Sequence, residues 1–198
     1  IASEAGALDN LSNGRLTLGL GTGAVWMGWQ AFPDAPTDVR TRVEMLDETI
    51  DVLTLLFAGQ PFDFDGRHFH LKLTNLDVQY YPHRPVQRPR VPLWCVGVWP
   101  HKKSMLRALR CDGLLVSKMQ PDKTFAEITP QDVKEIRQFA AENRPTGQPY
   151  DIVVEGKTLG KTGPEVAELL SPWQQAGATW WIDGMWENTR DEVLARIH

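Results

Sequence analysis

No apolar run in this 198-residue chain approaches the roughly 18 to 20 residues that span a bilayer, and no charged-then-apolar leader opens it. A cytoplasmic protein is the expectation. Nor is there a basic block: 21 Lys+Arg face 25 Asp+Glu, a formal net charge of −4, spread along the chain. That argues against nucleic acid and anionic membranes as partners. Cysteine is scarce, and Cys95 and Cys111 lie in or beside apolar segments without metal-ligand spacing. They read as small core residues rather than a disulfide or a zinc site. The five histidines, His68, His70, His83, His101 and His198, form no i, i+4 pair and no cysteine-backed pair, so no metal is expected. A Gly-x-Ser-x-Gly elbow is also missing.

What is present is ordinary globular composition, 42% hydrophobic and 23% charged, which excludes disorder and collagen. Ala2 to Leu11 has the composition of closing helical turns without an opening cap, as in a chain cut from a longer one. Ser12-Asn13-Gly14 makes a turn, and Arg15 to Leu20 alternates, with Thr17, Gly19 and Gly21 forming one very small face. A helix opened at Asp34 to Thr37 carries Val39, Val43, Leu46, Ile50, Leu53 and Phe57 at spacings of three and four and ends at Gly59. A hairpin insertion is expected at about 61–72, turning at Asp65-Gly66. After a Pro-rich connector the pattern is regular. Strands are predicted at Leu93–Gly97, Gly113–Ser117, Asp151–Glu155 and Thr179–Asp183. Helices are predicted at Lys102–Arg110, Asp132–Glu142, Pro164–Ala176 and Arg190–Ile197. Alternation without exception predicts βαβ units on one parallel sheet, a single α/β domain over 1–198, and strand order following the sequence. Five core strands leave a closed eight-stranded barrel three units short.

Two loops imitate nucleotide motifs and fail on spacing. Gly19-Leu20-Gly21-Thr22-Gly23 follows a strand, but position 24 is Ala and no capped helix starts directly after it. Gly156 to Thr162 has three residues between its glycines where a phosphate loop needs four. The strand ends say more. Gly97-Val98-Trp99-Pro100-His101-Lys102-Lys103 leaves a strand and opens a helix, which in physical terms is an anion site. Glu155 and Asp183, at the ends of the last two strands, could serve as acid, base or acceptor, or be spent on structural pairing.

Leu8 to Gly23, read as Leu-Asp-Asn-Leu-Ser-Asn-Gly-Arg-Leu-Thr-Leu-Gly-Leu-Gly-Thr-Gly, resembles the most recognisable segment of the bacterial luciferase-like flavin monooxygenases. The Leu56 to Pro61 helix end leading into Phe64 to Phe69, the run from Pro92 to Gly113, and Ala176 to Trp181 agree in register. The resemblance implies a (β/α)₈ barrel of the TIM type, incomplete here, with about five of eight βα units and the N-terminal third absent. It implies a flavin- or deazaflavin-dependent oxidoreductase, FMN or a deazaflavin of the F-420 type, acting on a small organic substrate. A non-enzymatic flavin-binding or partial-barrel interaction protein, or an inactive fragment, is the alternative. A homodimer is left open. Cofactor contacts are expected at Gly21, Thr22, Gly23, Gly97, Val98, Trp99, His101 and Lys102, with Trp26, Trp29 and Trp99 walling the pocket. Thr22 stands where the luciferase branch has an arginine for the flavin phosphate. No catalytic residue is carried over, because the family's catalytic histidine belongs to the absent third.

Overall fold

The computed structural model describes residues 1–25, 28, 31–145, 147–184, 186 and 188–197. Contacts cluster into two compact units, Ile1–Cys95 and Val96–His198.

The first unit begins with α1 (Ala2–Leu11) and a turn in which Asn13 and Gly14 both take positive φ. Asp9 is fully buried there. It accepts hydrogen bonds from the Gln87 backbone N–H at 3.0 Å and the Gln87 side chain at 2.7 Å. β1 is Leu18–Leu20, shorter than the predicted strand. Residues 15 and 16 are bound elsewhere: Arg15 donates to the Ser12 carbonyl, and Gln87 donates to that of Leu16.

α2 (Val39–Ala58) is capped by Asp38, whose carboxylate accepts from the Thr41 N–H at 2.8 Å, and it ends at Gly59 with φ 65°. Leu46, Ile50, Leu53 and Phe57 are buried as the periodicity requires, and each such side chain contributes about 1.5–3 kcal/mol. Val39 differs from expectation. It is exposed on the first turn, where the helix has not yet reached its packing partners.

β2 (Asp63–Asp65) and β3 (His70–Lys72) pair antiparallel as a separate two-stranded sheet, the predicted hairpin. Glu48 of α2 holds its turn by accepting from the N–H groups of Arg67 (2.7 Å), His68 (3.0 Å) and Phe69 (2.9 Å). A Cβ at Gly66 would overlap that carboxylate. β4 is Leu93–Trp99, and within this unit it runs parallel to β1, with Leu18 opposite Leu93 and Leu20 opposite Cys95.

The second unit continues with α3 (Lys102–Ala108), β5 (Gly113–Met119), β6 (Phe125–Ala126), α4 (Pro130–Asn143), β7 (Asp151–Gly156), α5 (Gly163–Ala176), β8 (Trp180–Asp183) and α6 (Arg190–Ile197). β5, β7 and β8 are parallel neighbours, Leu115 standing opposite Val153 and Val153 opposite Trp180. The strand order β1-β4-β5-β7-β8 follows the sequence, as successive strands of an α/β barrel do.

One departure breaks the predicted alternation: β6 pairs antiparallel with the end of β5 through a turn at Lys123, φ 68°. Two residues of strand carry no periodicity to detect. α4 and α5 open on capping boxes at Thr129 and Thr162, each followed by a proline in the first turn. The buried helix-facing side chains include Leu114, Ile152 and Val154 from the strands and Met105, Val133 and Ile136 from the helices. Cys95 and Cys111 are buried thiols outside any disulfide, as their apolar setting predicted. No described helix is long and apolar enough to cross a membrane.

Candidate functional site

In the first unit, Gly21, Thr22 and Gly23 leave the C-terminal end of β1, and Gly23 takes φ 75°. What shapes this loop is Arg42, only 9% exposed on α2. Its Nη1 donates to the carbonyls of Thr22 at 3.0 Å and Gly23 at 2.7 Å, while Nε is buried without a partner. A buried guanidinium is costly unless its donors are used. Here it uses the acceptors of an irregular loop and fixes that loop's path. Trp26 and Trp29, expected to wall a pocket, lie outside the described residues.

In the second unit, Gly97 sits on the buried face of β4, and a Cβ there would overlap Leu114 and stand 3.2 Å from Met105 Sδ and 3.3 Å from Ala108. A side chain at position 97 would therefore crowd the packing of α3 against the strand. Gly97→Val reads the fold, because overpacking of this kind costs about 1–3 kcal/mol. Val98 is organised locally, its N–H donating to Ser104 Oγ at 3.0 Å and its carbonyl accepting from His101 N–H at 2.8 Å. Trp99 is half-buried and packs edge-on against Phe139 of α4, with ring centroids 6.1 Å apart. His101 is the N-cap residue of α3 but makes no side-chain capping bond, and Lys102 is exposed.

The C-terminal ends of β5, β7 and β8 surround a cavity of about 640 Å³. Phe125, Trp173 and Trp181 supply its aromatic wall, and Lys118, Lys157, Glu127 and Glu155 its charge, two groups of each sign. Trp173 and Trp181 meet edge-on at 5.6 Å. Gly156 makes room for the Trp181 indole, whose Nε1 is buried without an acceptor.

The two carboxylates singled out from the sequence part company here. Asp183 accepts from the Thr158 N–H and hydroxyl, both at 2.7 Å, so it ties the loop after β7 to β8. Glu155 is exposed on the cavity wall and accepts from Trp186 Nε1. The Gly156 to Thr162 loop is a strand-to-helix connection, as its spacing implied, with Lys157 on the cavity and Thr158 buried.

Sequence reasoning missed the pair that braces the cavity floor. Lys118 Nζ donates to Asp132 Oδ2 at 2.8 Å, and the Asp132 carboxylate also accepts from the Thr129 N–H and hydroxyl. Burial pushes the Asp132 pKa up, but the bonds from Lys118 and Thr129 outweigh it and hold it below the ordinary carboxylate value. Lys118 lies within a strand and Asp132 in the first turn of the next helix, a spacing no motif records.

Two solved structures share this fold. The monooxygenase RslO1 from Streptomyces bottropensis superposes with a TM-score of 0.54 at 20% identity, covering 88% of this chain and 50% of its own. The oxygenating constituent of 3,6-diketocamphane monooxygenase from Pseudomonas putida, a type II Baeyer-Villiger monooxygenase in complex with FMN, gives 0.58 at 16% identity, covering 85% and 47%. The chain thus spans about half the length of the solved structures it matches. The sequence model of the family described as luciferase-like monooxygenase matches residues 1–194, and the chain belongs to that family.

Proposed function

We propose that this chain carries the cofactor-binding part of a flavin-dependent monooxygenase acting on a small organic substrate, with FMN rather than a deazaflavin as its cofactor. The observation that carries the reading is the cavity at the C-terminal ends of β5, β7 and β8, the strand ends at which α/β barrels place their chemistry. Its volume of about 640 Å³ suits a cofactor-sized ligand.

The residues present fit such a group. Phe125, Trp173 and Trp181 offer apolar rings to a planar ring system and exclude water. The acceptor-less Trp181 Nε1 offers a donor, and Lys157 a positive charge for a phosphate. Thr22 lacks the guanidinium that the family resemblance leads one to expect there. Bound reduced flavin would supply the electrons that activate dioxygen for transfer of one oxygen atom to the substrate. The chain's own residues bind and orient that group, keep water away from it, and set the charge around it. One relative's structure contains FMN, which is the support for preferring it.

The test is to titrate FMN and the deazaflavin separately and follow the fluorescence of the eight tryptophans. Saturable quenching by FMN, with reduced FMN oxidised faster in the presence of the chain and substrate, is expected. Trp181→Phe keeps the ring and removes the donor, so FMN affinity should fall roughly five- to tenfold, the worth of one hydrogen bond. Quenching by neither cofactor, or Trp181→Phe binding FMN as well as the native chain, ends the reading of this cavity.

A further inference from the structure

A second cavity of about 530 Å³ lies at the opposite ends of the same strands, where β7 and β8 begin and α4 and α5 end. Its lining is cationic. Arg137 and Arg144 face it together with Gln148, Gln174 and Thr179, and no carboxylate is among the lining residues.

Arg144 is held in place from two sides. Nη1 donates to the carbonyls of Leu109 at 2.6 Å and Cys111 at 2.7 Å, and the guanidinium lies 4.3 Å over the Tyr150 ring. Those contacts leave Nε buried without an acceptor. A buried guanidinium N–H with no acceptor costs about as much as a lost charged hydrogen bond, so an acceptor arriving from solution gains that much. Arg137 runs its methylenes against Gly177, whose missing Cβ and φ of 109° permit the approach. Among the described residues neither arginine forms an ion pair. The Asp151 carboxylate borders the lining, where it accepts from the Thr179 hydroxyl at 3.0 Å.

We propose that this cavity binds the phosphate group of a small molecule. Two guanidiniums and two carboxamides approach from different elements, which suits a tetrahedral oxyanion with several acceptors better than a planar carboxylate. The volume exceeds that of a bare phosphate and leaves room for an attached organic part. The site is separate from the cavity proposed for the flavin: it touches the starts of β7 and β8, at Ile152 and Thr179, whereas the other touches their ends. Because it joins α4 to α5, an anion here would stabilise the folded chain by mass action without touching the chemistry.

The experiment is calorimetric titration of the full chain with inorganic phosphate and, separately, with ribose 5-phosphate, each against chloride at matched ionic strength. Saturable binding at millimolar concentrations and a raised unfolding temperature are expected. Arg137→Gln should weaken binding roughly tenfold or more, the loss of one charge-assisted contact, while FMN affinity stays unchanged. Arg137 is exposed, so this variant folds; circular dichroism checks it. Arg144→Lys keeps a charge but loses the fork and should weaken binding too. Tighter binding of ribose 5-phosphate would identify an organic phosphate as the ligand, and equal binding the phosphate group alone. The proposal is overturned if neither probe saturates, if chloride competes equally, or if Arg137→Gln titrates like the native chain.

Discussion

Each unit of this chain buries an aspartate, and the two are held by opposite means. Asp9 in the first unit is fully buried and accepts from neutral donors, the backbone and side chain of Gln87. Asp132 in the second is 8% exposed and accepts from the Lys118 ammonium as well as from Thr129. In both, burial pushes the pKa up and hydrogen bonds more than reverse it, so both carboxyls titrate below the ordinary value. The contrast teaches that a buried carboxylate needs enough donors more than it needs a countercharge. Directional donors at Asp9 leave the loop rigid and insensitive to salt. A cation at Asp132 adds attraction that ions can screen.

The largest effect should come from Asp9→Ala. It strands two Gln87 donors in the interior, at a cost of about 3 kcal/mol, read as a lower midpoint of denaturant unfolding. Asp132→Ala loses the capping box and the partner of a half-buried lysine, about 2 kcal/mol by the same measurement. Should Asp132→Ala prove the more damaging, countercharge would outrank directional donors and the contrast would be reversed. Lys118→Met removes the cation alone and should cost about 1 kcal/mol, because Thr129 still serves the carboxylate.

Acid unfolding tests both carboxyls together. A folded pKa below the unfolded value of about 3.9 contributes stability that is present above that value and lost as pH falls through the folded one. Stability should thus be flat above about pH 5 and fall below about pH 4. Asp9→Asn and Asp132→Asn should each flatten that fall. The smallest effect is in salt: the coupling between positions 118 and 132 in a double-mutant cycle should shrink at high ionic strength, and that between 9 and 87 should not.

Much of this architecture can be read from residue order. The stripe from Leu46 to Phe57 with Gly59 behind it is α2, and the regular alternation after Pro92 gives β4 through α6, with ends shifted by a residue or two where capping and fraying decide. β6 could not be read, because two residues define no period. The site was less legible, for a physical reason. Gly97 reads as the end of a strand and is expected to meet a cofactor, and the alternation of buried Leu93 and Cys95 puts it on the helix-packed face of β4. The loop at Thr22 looked self-contained, but Arg42, some twenty residues on, sets its path. Trp181 was legible only as a residue of the last strand. Only the fold shows that Gly156 leaves space for its ring and no acceptor for its N–H.

The Glu48 carboxylate has a consequence for time rather than for energy. It receives the amide hydrogens of Arg67, His68 and Phe69, so those three protons reach solvent only when a side chain of the 20-residue α2 lets go. The flanking strands are three residues each and open easily. In deuterated water the turn should therefore label on the slow clock of the helix, while the strand residues beside it label on their own faster one.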